Sequence, residues 1–132
     1  MADIIRTTHA TIARLDEVTI RIEFDADCTI DVKDLEENLD AYRALMGDRK
    51  FYLLTVFNEG ITHTLEVRKQ WLRKKRSEFK LGEAFVISSL AHRLIADFIM
   101  RVTPPKHPLR YFSSEKSALA WLKSLRKRDK SA

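Results

Sequence analysis

The sequence contains little cysteine, glycine or uninterrupted apolar sequence, and each shortage excludes a class of protein. Cys28 is the only cysteine among 132 residues, so neither an internal disulfide nor a cysteine-based metal cluster can form. Three glycines are too few for a glycine-rich phosphate loop. No apolar run approaches the roughly 20 residues that span a bilayer, and the N-terminus lacks the basic and apolar regions of an export signal. We therefore expect a cytoplasmic protein without a membrane span.

Composition and charge predict a soluble globular chain. Hydrophobic residues make up 45% and charged residues 33% of the sequence, and its length predicts a single domain over residues 1–132. Much of the net charge of +5 lies in two clusters, 73–76 and 123–130. Each cluster ends a predicted helix, where cations complement the helix dipole, and we expect about 126–132 to be a disordered basic tail. A surface for nucleic acid or anionic membranes is the other interpretation, but no interleaved aromatic residues suggest base stacking, so nucleic acid is disfavoured.

The stretch from Glu83 to Phe112 organises the predicted fold. Four consecutive apolar residues, Ala84–Ile87, are typical of a strand covered on both faces, as in a parallel sheet. A helix over Leu90–Val102 and a strand over Leu109–Phe112 follow it, which is the repeating unit of an α/β sheet. Apolar residues spaced three and four apart predict that this helix is mostly covered. They are Leu90, Leu94, Ile95, Phe98, Ile99 and Val102.

The remaining segments extend this unit into one sheet. Thr8–Arg14 and Val18–Phe24 predict a hairpin, and Phe51–Phe57 predicts a central strand. Three further helices are predicted after Thr29 or Asp31, after Thr62 or Thr64, and after Ser113-Ser114. We therefore predict five strands and four helices, with the first strand antiparallel to the second and the other four parallel. Right-handed crossovers tend to place the helices on one face, which leaves the other face short of cover, so a homodimer is expected.

Several local patterns together are similar to a known family. The serine pair Ser88-Ser89 follows a strand, Pro105 and Pro108 follow a helix that ends Asp97-Phe98-Ile99-Met100, and the chain closes with Tyr111-Phe112 and Ala118-Leu119-Ala120-Trp121-Leu122. This pattern resembles the SpoIIAA-like (STAS-like) family, and more narrowly small uncharacterised bacterial members common in Bacteroidetes. The resemblance implies an N-terminal β-hairpin followed by a right-handed βα superhelix. It also implies a regulatory or ligand-binding module, not an enzyme.

One motif of the better-known relatives is missing. Anti-anti-sigma members of the family carry an Asp-Ser-Gly-like motif at the helix after the central strand, and its serine is phosphorylated. The corresponding stretch of this chain is Ile61-Thr62-His63-Thr64, which has neither the Asp-Ser pair nor the glycine. A phosphorylation switch is therefore not expected at this position. Thr62 and Thr64 are the remaining candidate acceptors, but helix capping is the favoured role for either one.

Polar residues are predicted to gather at the carboxyl edge of the sheet, where open α/β sheets bind ligands. Two helix N-termini are directed there and offer free backbone N–H groups, so one interpretation is a pocket for a small polar or anionic ligand. The other is that the hydroxyl residues only cap helices and the histidines are solvated. The candidate ligand-binding residues are Asn58, Thr62, His63, Ser88, Ser89 and His92.

Catalysis and metal binding find little support. Ser88, His92 and Glu59 supply the residue types of a hydrolase triad, but no Gly-x-Ser-x-Gly elbow surrounds the serine. The four histidines are scattered without metal-ligand spacing. We predict no enzyme activity, metal or cofactor. The predicted function is a non-catalytic regulatory or interaction module that binds a partner protein or a small polar ligand, with nucleic-acid or anionic-surface binding through the basic helix ends as the alternative.

Overall fold

The computed structural model of the protein describes residues 3–71, 79–102 and 107–131. The basic cluster at 73–76 and the proline pair at 104–105 lie outside these ranges. Eight strands and four helices occur within them. In chain order they are β1 (Ile4–Arg6), β2 (Ala10–Asp16), β3 (Thr19–Phe24), β4 (Thr29–Ile30), α1 (Val32–Met46), β5 (Phe51–Phe57), β6 (Thr62–His63), α2 (Leu65–Trp71), β7 (Lys80–Ile87), α3 (Leu90–Val102), β8 (Leu109–Phe112) and α4 (Glu115–Ser131).

The main sheet has six strands in the order β1-β2-β3-β5-β7-β8. Strand β2 pairs antiparallel with both β1 and β3, whereas β3, β5, β7 and β8 are parallel neighbours. The predicted α/β class, its four helices and its mostly parallel sheet are therefore confirmed. The predicted count of five strands was wrong for the main sheet, because the three residues of β1 extend the hairpin by one strand. Three residues are too few to show the alternation that identifies a strand.

A second, two-stranded sheet lies beside the carboxyl edge of the main sheet. It pairs β4 with β6 in parallel, with Thr29 opposite Thr62 and Ile30 opposite His63. The Thr64 hydroxyl then accepts from the Val67 backbone N–H at 3.2 Å and caps α2. The predicted start of this helix near Thr62 or Thr64 is thus settled in favour of Thr64, because Thr62 belongs to a strand.

Helices α1, α2 and α3 cover one face of the main sheet. Buried residues of α1 and α2, among them Tyr42, Met46 and Val67, pack with Ile12, Ile20 and Ile22 of the hairpin in one core. Asp31 begins α1 as an N-cap and forms a reciprocal capping box with Asp34. Helix α3 also contacts the sheet on this face, since the Arg93 guanidinium lies 5.1 Å from the centroid of the Tyr111 ring.

Helix α4 covers the opposite face, over β5, β7 and β8. Its buried residues Ala118, Leu122 and Leu125 pack with Tyr52, Leu54, Val56 and Ala84 in a second core. Gly82 permits this close approach, because a Cβ atom there would lie 2.8 Å from the Leu125 Cδ1 atom. The tendency of the helices to share one face therefore fails for α4. A crossover must return the chain to a parallel strand, but α4 follows the edge strand β8 and is free of that constraint.

Two further expectations change with α4. Residues 126–131 continue the helix, where a disordered tail was predicted, and Arg126 forms an ion pair with Asp16 at 3.3 Å.

The argument for a homodimer no longer holds, because α4 covers the apolar part of the second face of the sheet. Where β1, β2 and β3 form that face, its side chains are mainly polar, for example Arg6, Thr11 and Arg21. The dimer itself stays a prediction.

Candidate functional site

The carboxyl edge of the parallel strands is the candidate site. Strands β5 and β7 end there at the paired residues Phe57 and Ile87, and the segments 58–64 and 88–90 continue from them into α2 and α3. All six predicted residues lie on these segments or in the first turn of α3. Most of them form hydrogen bonds within the protein.

Asn58 is directed toward the hairpin. Its side-chain amide donates to the Glu23 carboxylate at 2.9 Å and to the Phe24 carbonyl at 2.7 Å. These bonds join the ends of β5 and β3. The bond from Asn58, together with Arg21, holds the pKa of the Glu23 carboxyl below its ordinary value against the effect of partial burial. Asn58 therefore has a structural partner for its amide donor.

Thr62 and His63 form β6. The Thr62 hydroxyl lies 2.9 Å from the Thr29 hydroxyl, and the Thr62 backbone N–H donates to the Cys28 carbonyl at 2.9 Å. The Thr62 side chain is exposed and the His63 side chain is half-buried. Both residues therefore hold the small sheet against the edge, and Thr62 also presents a hydroxyl at the surface.

The two serines differ in their roles. The Ser89 hydroxyl accepts from the His92 backbone N–H at 3.5 Å and its carbonyl accepts from the Arg93 N–H at 3.1 Å, so Ser89 caps α3. Ser88 is exposed and Ser89 is half-buried. Ser89 is therefore the cap of α3, and Ser88 lies one residue before it.

His92 joins the two segments of the edge. Its Nε2 atom lies 2.8 Å from the Ile61 carbonyl oxygen, which can only accept, so Nε2 carries the proton. The imidazole also lies 6.3 Å from the Phe57 ring, measured between centroids. One bond thus fixes the start of α3 against the loop between β5 and α2. The common position of the two segments at the carboxyl edge predicted this proximity. It did not predict which atom His92 contacts, because that atom belongs to the backbone.

These contacts decide what the edge can do chemically. The His92 Nε2–H donates to the Ile61 carbonyl, which leaves Nδ1 as the accepting atom of the ring, and the Ser89 hydroxyl accepts from the His92 backbone N–H. Among residues 3–71, 79–102 and 107–131, no group of three histidine, cysteine, aspartate or glutamate side chains is placed to hold a metal ion. No described helix is long and apolar enough to cross a membrane.

Three leucines at the same edge are unusually exposed. Leu65 begins α2 and is 63% exposed, whereas Leu90 and Leu94 in α3 are 71% and 61% exposed. We refer to Leu65, Leu90 and Leu94 as the leucine surface. The expectation that α3 buries Leu90 and Leu94 was wrong, because both lie at the margin of the apolar stripe. The other four residues of the predicted stripe have side chains outside the described part of the chain.

A second polar cluster, at the opposite end of the sheet, was not predicted. Glu83 is 6% exposed, and its carboxylate lies 3.0 Å from His107 Nε2 and 3.4 Å from Lys80 Nζ. Burial opposes ionisation, but Lys80 and His107 outweigh it and hold the pKa of Glu83 below its ordinary value. Burial, with a smaller effect of Glu83, raises the pKa of Tyr42. Within the described ranges, His107 Nδ1 is buried without a hydrogen-bond partner.

Comparison with solved structures shows the fold. A crystal structure of an uncharacterized protein from the DUF3478 family with a SpoIIAA-like fold, from Shewanella loihica PV-4, is similar over 89% of this chain and 98% of that chain. The TM-score is 0.58 and the sequence identity is 16%. The resemblance to SpoIIAA-like proteins is thus confirmed for the fold, while the narrower resemblance to members common in Bacteroidetes stays a prediction.

Comparison of the sequence places the chain in a family. Among proteins of curated function, none matches it. A family model described as "Domain of unknown function (DUF7793)" matches residues 14–126, which extend from the hairpin into α4 and include every candidate site residue. By that match, this protein with its SpoIIAA-like fold belongs to the DUF7793 family.

Proposed function

We propose that this protein is a non-catalytic interaction module that docks a partner protein through the leucine surface. The exposure of Leu90 and Leu94 carries the proposal, because contiguous exposed apolar surface on a soluble protein marks an interaction site. Leu90 and Leu94 are one helical turn apart and therefore neighbours on α3. A regulatory role exercised through such binding agrees with the resemblance to SpoIIAA-like modules.

The position of the leucine surface favours docking further. Leu65 and Leu90 begin helices that follow the neighbouring strands β5 and β7. The bond from His92 to the Ile61 carbonyl holds the two segments together before any partner arrives. A surface that is ordered in advance loses less conformational entropy on binding, which increases affinity.

The exposed polar residues of the edge provide a rim for the leucine surface. Thr62 and Ser88 are both exposed and lie in the segments that precede Leu65 and Leu90. Protein interfaces commonly combine an apolar centre with a polar border that forms hydrogen bonds. In this proposal the predicted ligand-binding residues Thr62 and Ser88 contact the partner, while Asn58, Ser89 and His92 hold the edge in shape.

A site-specific crosslinker identifies the partner. A photoreactive amino acid is placed at Leu94 in the organism that encodes the protein, and it should crosslink one partner protein. The same photoreactive amino acid at the exposed Leu15 should not crosslink that protein. That protein, once purified, is titrated against the wild type and against the double variant Leu90→Asp and Leu94→Asp. We expect the affinity to fall about 100-fold in the double variant, since residues at an interface centre each contribute 1–2 kcal/mol or more.

The matched control carries the same chemical change elsewhere. Ile4 and Leu15 are 59% and 44% exposed on the hairpin, so Ile4→Asp with Leu15→Asp should leave the affinity unchanged. An equal loss in both double variants would contradict the proposal, as would failure of the purified protein to bind the wild type.

A small polar or anionic ligand is the second occupant to test. Asn58, Thr62, Ser89 and His92 already have internal partners, so the ligand would be held mainly by the exposed Ser88 hydroxyl and the first N–H groups of α3. A titration with inorganic phosphate, followed by amide chemical shifts, separates the two occupants. Saturable shifts confined to residues 62–63 and 88–92 would favour the ligand over the partner protein.

A second copy of this chain is the third occupant. Sedimentation equilibrium of the wild type and of the Leu90→Asp and Leu94→Asp variant decides whether the leucine surface pairs with itself. A wild-type dimer that becomes a monomer in the variant would replace the partner protein by a homodimer.

A further inference from the structure

The outer face of α4 carries a row of lysines on the side of the molecule opposite the leucine surface. Lys116, Lys123, Lys127 and Lys130 are all exposed. Their spacing of seven, four and three residues places them on one side of a helix with 3.6 residues per turn. We call them the lysine row. Because α4 is one continuous helix to Ser131, the row is a feature of the fold and not of a disordered tail.

The lysine row is not neutralised within the described part of the chain. None of its four lysines forms an ion pair there, whereas Arg126 pairs with Asp16 and Arg128 with Asp129. The two acidic residues of α4 also contact the sheet. Glu115 accepts from Arg21 at 2.6 Å, and Asp129 accepts from the Tyr52 hydroxyl. Both acidic residues of α4 therefore have partners, and the charged residues on its outer face are all basic.

Helix stability does not explain the whole row. Lys127 and Lys130 lie near the C-terminus of α4, where cations are favourable. Lys116 lies in the first turn, where the helix dipole disfavours a cation. A row that runs the length of the helix fits a linear array of negative charges better than it fits the dipole.

We propose that the lysine row binds the phosphate backbone of double-stranded nucleic acid without sequence preference. The row spans about 21 Å at 1.5 Å per residue, over which one strand of a duplex presents about six phosphates. Lysine is a compact point charge without the planar fork of arginine, which suits it to phosphate contacts that carry no sequence information. This function is independent of partner docking because it uses a different face.

Other polyanions fit the row less well. Single strands are held by aromatic side chains that stack on bases, but Trp121 packs against Phe112 at 5.7 Å between ring centroids and is half-buried. Helices that bind membranes insert an apolar face, whereas the apolar residues of α4 pack on the sheet. The exposed face of α4 therefore offers charge but no surface for stacking or insertion.

Fluorescence anisotropy with a fluorescein-labelled DNA duplex and an RNA duplex of the same sequence tests the proposal over a KCl series. Four phosphate contacts predict that the logarithm of the binding constant falls with the logarithm of salt concentration at a slope of about −3 to −4. A DNA duplex of scrambled sequence should bind equally. Tighter binding of either the DNA or the RNA duplex shows which nucleic acid supplies the phosphates.

The double variant Lys123→Glu and Lys127→Glu should weaken binding at low salt at least about tenfold and reduce the slope by about 2. The matched control makes the same charge change at the exposed Lys33 and Lys50 and should keep the wild-type slope. No binding at low salt, or equal losses in both double variants, would overturn the proposal. Vesicles containing phosphatidylserine provide the last comparison, since binding to them but not to the duplexes would assign the row to membranes.

Discussion

Lys80, Glu83 and His107 form a buried charged cluster that depends on one extra residue in β7. In a regular strand, residues three apart point to opposite faces of the sheet. Phe51 pairs with Lys80 and Tyr52 with Gly82, so Leu81 has no partner and forms a bulge. The bulge returns Lys80 to the same face as Glu83, where the Glu83 carboxylate contacts both Lys80 and His107. The buried carboxylate therefore has its partners at a distance from the candidate edge.

The Glu83 cluster predicts a dependence of stability on pH. The pKa of Glu83 is lower in the folded than in the unfolded chain, where it is about 4.3. Ionised Glu83 therefore stabilises the fold fully above that value, and the contribution is lost as the pH falls through the folded pKa. Glu83→Gln should lower the free energy of unfolding at pH 7 by about 2–3 kcal/mol, because Lys80 and His107 lose a charged partner. Urea denaturation at several pH values between about 3 and 7 measures both effects.

The exposed Glu36 on α1 is the matched control for Glu83. Glu36→Gln removes the same charge at the surface and should change stability by no more than about 0.5 kcal/mol. The difference in unfolding free energy between wild type and Glu83→Gln should shrink as the pH is lowered. A constant difference over the whole series would show that Glu83 does not stabilise the fold through its charge.

At the scale of elements, the start of α3 allows a test of its cap. Ser89→Ala should destabilise the protein by about 1 kcal/mol, because the His92 N–H loses its acceptor. The adjacent Ser88→Ala removes the same hydroxyl from an exposed residue and should be neutral within about 0.5 kcal/mol. Thermal and urea denaturation of the two variants measure this difference in stability. A larger loss for Ser88→Ala would reverse the assignment of the cap.

The sequence predicted long elements better than short ones. The strands Phe51–Phe57 and Leu109–Phe112 and the helix Leu90–Val102 have the predicted bounds, since apolar periodicity and flanking prolines mark them clearly. The two-residue strands β4 and β6 were not predicted, because a pair of residues has no period and forms a strand only through its partner. The bulge at Leu81 was missed for a similar reason, since a one-residue shift leaves no mark in a short apolar run.

At the scale of the whole molecule, the direction of each connection decides which face a helix covers. The three crossovers from β3 to β5, β7 and β8 step across the sheet in one direction and place α1, α2 and α3 on one side. Helix α4 returns from the edge strand on the other side, so the sheet is covered on both faces over its parallel half. The spacing of Ala118, Trp121, Leu122 and Leu125 predicts that these residues of α4 face the core, but it does not predict which face of the sheet they cover.

Leu122 tests the contribution of the second core. It is 3% exposed, and Leu122→Ala should lower the free energy of unfolding by about 2–4 kcal/mol through lost burial and the cavity left behind. Leu15→Ala removes the same atoms from a 44% exposed residue and should cost little. Chemical denaturation should show one cooperative transition for both variants, shifted only for Leu122→Ala. Equal midpoints would show that α4 adds little to the stability of the sheet.

The sequence predicted where the candidate edge lies but not what its side chains contact. Sheet topology alone brings the segments after β5 and β7 together, and the bond between His92 and Ile61 agrees with that. Residue types did not reveal that the Asn58 amide and the Ser89 hydroxyl have internal partners, because capping and ligand binding use the same groups. The leucine surface was missed because an apolar stripe does not show where its buried margin ends.

The placement of α4 has a consequence for how the chain is made. Synthesis proceeds from the N-terminus, so β5 and β7 emerge from the ribosome before α4 does. Until the chain is complete through Leu125, the apolar side chains of Tyr52, Leu54 and Val56 lack the residues that later bury them. A sheet that forms before α4 has emerged exposes this apolar face, and exposed apolar strands are prone to aggregate. Chaperones that recognise exposed apolar strands have their opportunity in that interval.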